Sequence, residues 1–173
     1  MATSQKKAVT VAAAGENFVN FSFDRDPIKP LIDNIPPESG INPVAMEYEI
    51  QLLKVLTVGW AISYFMADHA RKDAMAQTFW QGVRAFSANL SAVASCNVGK
   101  AIDYFGALQQ RVDIYVGALQ HLPETGDPGA VIGATFAQMC GNQLQRYLVL
   151  SGKAIFNMSI VSVKSYLESV DLQ

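Results

Sequence analysis

Eight apolar residues alternate three and four apart from Val98 to Leu122, and no other feature constrains the fold of this chain as tightly. They are Val98, Ala101, Phe105, Leu108, Val112, Tyr115, Leu119 and Leu122, with Ile102 and Val116 widening the stripe. Steps of three and four place them all on one face of an α-helix as an uninterrupted a/d seam. Asn97 suits the N-cap of this helix, and Pro123 marks its end.

Three further helices are predicted around it. Asn42-Pro43 pairs a capping residue with the one residue type suited to the first helical position, and the stripe Met46, Ile50, Leu53, Leu56, Trp60, Phe65 follows. This helix is expected to reach Asp68 or His69. A second, over 73–94, carries Phe79, Val83, Phe86, Leu90 and Val93 on one face. Asp127-Pro128 repeats the cap-then-proline device and opens a last helical segment, expected to run to Val170 with Gly152 as its weakest point. Phe136, Tyr147 and Met158 lie eleven apart there, close to three full turns. Short connections imply antiparallel neighbours, so the expected fold is all-α, an up-down bundle of four long helices. In that bundle Cys96 and Cys140 lie on the order of 20 Å apart, too far for a disulfide.

The first 42 residues differ. Pro27, Pro30, Pro36 and Pro37 forbid a continuous helix through them, and Phe18, Phe21 and Phe23 alternate in a way that suits extended chain. The sequence therefore divides into an extended arm with little regular structure (1–42) and a helical bundle domain (43–173).

Composition then limits function. Charged residues make up 16% of the chain, against about 25% in an average soluble domain. Half of the residues are hydrophobic and the net charge is only −2, which excludes disorder for most of the chain. The 13 Lys and Arg are dispersed among 15 Asp and Glu, leaving no basic field for nucleic acid. The apolar run from Val55 to Ala67 is the length of a buried core helix rather than a membrane span, and the short run Ala8–Ala14 is a poor signal peptide. A cytoplasmic location is expected.

No constellation of catalytic residues stands out. His69 and His121 fall near helix C-termini, where an imidazolium suits the helix dipole. Neither has a second His or a Glu at metal-ligand spacing. Asp103 and Asp113 have no acidic partner placed for acid–base work, and Gly126-Asp-Pro-Gly129 lacks the spacing and lysine of a phosphate loop. The expectation is a protein that is not an enzyme and holds no cofactor or metal. What remains is surface. From Ala74 to Leu122 the chain carries only Arg84, Lys100, Asp103, Arg111 and Asp113 as charges, and Gln, Ser, Asn, Gly and Ala fill the other positions. Helix faces so poor in charge suit contact with something other than water.

The segment 74–155 resembles the phasins, small helical proteins that coat polyhydroxyalkanoate granules in bacteria. The resemblance lies in the Ala- and Gln-rich helix Phe79–Ala94, in Ala107-Leu-Gln-Gln-Arg-Val-Asp-Ile-Tyr115, and in Ala134-Thr-Phe-Ala-Gln138 leading to Gln143-Leu-Gln-Arg-Tyr147. It implies a non-enzymatic coat protein adsorbing through low-charge amphipathic faces, with an apolar polymer surface as partner. Phe105, Tyr115, Phe136 and Tyr147 are the candidate contact residues on the helices. Alternatively the protein is an oligomeric interaction module whose arm, through Phe18, Phe21, Phe23, Ile28 and Leu31, docks on a partner or a neighbouring subunit. Either reading expects a homo-oligomer. A third reading places a small apolar ligand among Trp60, Tyr64 and Trp80.

Overall fold

The computed structural model describes residues 6–98, 103–123 and 126–173, with the backbone alone over 93–98. Helices dominate it: α1 (Val11–Phe23), α2 (Lys29–Asp33), α3 (Pro43–Phe65), α4 (Lys72–Val98), α5 (Tyr104–Gln120), α6 (Pro128–Met139) and α7 (Arg146–Ser169). Strands β1 (Lys7–Val9) and β2 (Val170–Leu172) pair in parallel, Lys7 opposite Val170 and Val9 opposite Leu172.

The central element is α3. It touches α1, α4, α5, α6 and α7, and its residues from Leu52 to Gly59 are buried on every side. A stretch surrounded by other helices has no wet face, which explains why α3 is so apolar from Val55 to Gly59. No described helix is long and apolar enough to cross a membrane. The cap of α3 is the one read from the sequence: Asn42 Oδ1 accepts from the Val44 and Ala45 amides at 3.0 and 3.2 Å, with Pro43 at the first helical position. Asp127 caps α6 in the same way, accepting from the Gly129 amide at 2.9 Å.

Several expectations are corrected. The described part of the segment 1–42, residues 6–42, is not an extended arm: residues 11–23 form α1. The prolines begin only at Pro27, so nothing before them obstructs a helix. Thr10 caps α1 by accepting from Ala13, and Ala12–Ala14 favour helix. Ala14, Phe18 and Ser22, four apart, face inward. The division at residue 42 separates no two cores either, because Phe18 and Ile28 belong to the same buried cluster as Ile50 and Phe136.

The seam helix starts later than expected. The backbone helix of α4 continues through Asn97 to Val98, so the seam helix does not begin there, and Asp103 caps α5 by accepting from Gly106 at 2.8 Å. The last helical segment breaks at Cys140-Gly141 rather than at Gly152. Gly141 has φ +85°, a left-handed turn that ends α6. Gly152 lies mid-helix in α7, where a Cβ would come within 2.6 Å of the Cβ of Phe136. Its missing side chain is what lets α6 and α7 pack so closely. The side chain of Cys96 lies outside the described residues, and with it the expected cysteine separation.

Candidate functional site

The C-terminal half of α3 and the facing side of α5 enclose an apolar cleft of about 230 Å³, open on one side. Leu53, Leu56, Gly59 and Trp60 of α3 form one wall, and Val112, Tyr115, Val116 and Leu119 of α5 the other. Trp80 of α4, Ile132 of α6 and Phe156 of α7 close the interior. Gly59 is essential to this shape, since a Cβ there would collide with the Trp80 indole. Of the hydroxyl-bearing residues in the walls, Thr57 and Ser63 are satisfied within α3, Thr57 donating to Leu53 O at 2.8 Å and Ser63 to Gly59 O at 3.1 Å.

The rim is apolar and wet. Trp60 is 43% exposed, Tyr64 62%, Val112 37% and Val116 45%. Trp60 stacks on Tyr64 with ring centroids 5.2 Å apart and 17° between planes, and it leans on Phe156 at 6.0 Å. The spacing Trp60–Tyr64 on α3 and Val112–Val116 on α5 is one helical turn in each case, so each pair presents two neighbouring side chains to solvent.

Beside the cleft lies a buried polar cluster that the sequence reading missed. Arg111 of α5 grips Glu49 of α3 with both ends of its guanidinium, at 2.8 and 2.5 Å. Tyr104 and Tyr115 are buried nearby, and neither hydroxyl has a hydrogen-bond partner among the described residues. Burial, reinforced by the Glu49 carboxylate, pushes both phenols well above their ordinary range. The Cys140 thiol is pushed up to about 12 by burial, with Glu49 adding to the effect and Arg111 opposing it. Thiol and phenols are therefore neutral at physiological pH, and the carboxylate is occupied by the guanidinium. The Glu49–Arg111 pair ties α3 to α5, and the neutral thiol and phenols are not poised as bases or nucleophiles. Among the described residues, no three His, Cys, Asp or Glu side chains converge into a metal-binding group.

A second buried charge anchors α1. Lys54 of α3 is fully buried, donates to the C-cap carbonyl of α1 at Asp24 (2.9 Å) and lies 4.4 Å from the centre of the Phe21 ring. Desolvation lowers its pKa to about 8 against the pull of Asp24.

The nine interaction candidates face inward or against the core. Phe18, Ile28, Tyr115 and Phe136 are buried; Phe21, Phe23, Leu31, Phe105 and Tyr147 pack partly buried against them. Phe23 stacks on Phe86 at 3.9 Å, Phe18 meets Tyr166 edge-on, and the Tyr147 hydroxyl donates to Leu31 O at 2.7 Å. Phe105 lies under the Arg84 guanidinium. The side chains assigned to an arm reaching outward are thus engaged within the chain. Of the nine, Tyr115 alone lines the cleft. Trp60 and Trp80, which the third reading groups with Tyr64, both line the cleft, and Tyr64 stacks on the exposed Trp60. The seam pattern predicts Val112 and Val116 as core, whereas both are exposed at the cleft.

Comparison of the chain with the models of known protein families, with curated proteins and with solved structures found no match.

Proposed function

We propose that this protein is a non-enzymatic binder of apolar material, which it meets through the Trp60–Tyr64 and Val112–Val116 rim and draws into the cleft between α3 and α5. The observation that carries this reading is the continuity of the two: the exposed side chains of Trp60, Val112 and Val116 line a cleft whose described walls carry no charge, and exposed Tyr64 stacks on Trp60. Scattered apolar side chains are normal on a protein surface, whereas a contiguous patch around a concavity is where ligands and partners bind. The low charge of 74–122 agrees with such a face. So does the resemblance to granule-coating phasins, whose polyester is one apolar surface that the rim fits, and a cytoplasmic homo-oligomer on such a surface is the form in which we expect it to act.

The test is adsorption. A fluorescent fusion of the full chain is expected to decorate granules in a polymer-accumulating cell, and the purified protein to leave solution onto polyester beads. A protein that stays diffuse in the cell and in solution over the beads overturns the proposal.

A further inference from the structure

Taking the cleft as a binding site, we infer that its preferred occupant is an uncharged aromatic molecule of about two fused rings, rather than a fatty acid or another ionised amphiphile. The first argument is size. A cavity of about 150 Å³ lined by Leu, Ile and Phe takes benzene. This cleft, at about 230 Å³, is half as large again and has room for a second ring.

The second argument is what the walls offer. Among the described residues lining the cleft none is charged, so a carboxylate would lose hydration and find no cation. The Thr57 and Ser63 hydroxyls are already donated to carbonyls of α3. Tyr115 also lines the cleft, and its hydroxyl is buried and uncharged, so it offers a carboxylate no cation. The third argument is shape. Trp60, Trp80 and Phe156 bring three aromatic rings to one small space, and such rings favour offset or edge-on contact with another flat π-system.

The experiment is calorimetric titration of the intact chain into naphthalene, 2-naphthoate and decanoate, with Val116→Trp as a variant that fills the mouth. Naphthalene is expected to bind saturably, naphthoate and decanoate at least tenfold more weakly, and Val116→Trp to weaken naphthalene at least tenfold. Naphthoate or decanoate binding as tightly as naphthalene overturns the ligand class while leaving the cleft a binding site. Naphthalene binding unchanged by Val116→Trp overturns the placement. If none of the three binds but polyester adsorption persists, the inference fails and the rim's role stands; if adsorption is lost as well, both fail.

Discussion

The two halves of α3 are built on opposite rules. The N-terminal half buries charge: Glu49 is held by Arg111, and Lys54 by the end of α1. The C-terminal half exposes aromatic surface, with Trp60 and Tyr64 stacked at the rim of an uncharged cleft. Polar groups normally face water and apolar groups avoid it, so each half inverts the usual arrangement for its own reason. In the first half, directional contacts fix which helices dock and where. In the second, an apolar surface is left open although closing it would stabilise the fold. Changes to the first half should therefore cost stability, and changes to the second should cost binding.

The largest stability effect is expected from Arg111→Met, which strands the Glu49 carboxylate in the interior. Removing one partner of a buried pair costs about 3–5 kcal/mol, measurable as a lowered midpoint in urea. The double variant Arg111→Met, Glu49→Leu should regain much of that loss. If the single variant melts like the parent, the pair does not anchor α3 to α5.

Next is a pH effect with a defined sign. Lys54 holds its proton less tightly in the fold than in the unfolded chain, with a pKa of about 8 against 10.5. Between those values the unfolded state carries more protons, so stability rises with pH, on the order of 3 kcal/mol if this group acted alone. Cys140 opposes it: the fold keeps the thiol protonated to about 12, against an ordinary 9.0. Tyr104 and Tyr115 add to the decline above their ordinary 10.0. Stability should climb from pH 8 to about 9, then fall steeply beyond 10. Lys54→Met should abolish the climb, and a variant that still shows it would place the titration elsewhere.

Gly152→Ala should cost about 1–3 kcal/mol by forcing α7 away from Phe136, read as a drop in the thermal midpoint. The smallest effect on stability belongs to the exposed end of α3. Tyr64→Ser should change stability by about 0.5 kcal/mol at most while weakening adsorption to polyester. A loss of stability there larger than that of Gly152→Ala would erase the contrast between the two halves.

How much of this was legible in the sequence follows the same division between local and non-local signals. The starts of α3 and α6 could be read from Asn42-Pro43 and Asp127-Pro128 because capping is decided within a few residues. The start of α1 was equally local, in Thr10 and the alanines after it, but the prolines from Pro27 onward drew the reading toward extended chain. The break between α6 and α7 turns on which glycine adopts a positive φ. Gly141 and Gly152 look alike in sequence; only the approach of Phe136 tells them apart. At the site, two of the three aromatic residues that the sequence groups by their chemistry, Trp60 and Trp80, line the cleft, while Tyr64 stacks on Trp60 without lining it. Glu49 with Arg111, 62 residues apart in the chain, and the outward turn of Val112 and Val116 depend on how α3 and α5 meet, which periodicity within one helix does not encode.

The most direct test of the contrast is the double variant Val112→Glu, Val116→Glu, scored for thermal midpoint and polyester adsorption in the same preparation. Both side chains are substantially exposed, so the account predicts a midpoint close to that of the parent and adsorption reduced at least tenfold. Adsorption that survives two carboxylates on the rim, with the fold intact, would contradict the claim that this face of the molecule is the one that binds.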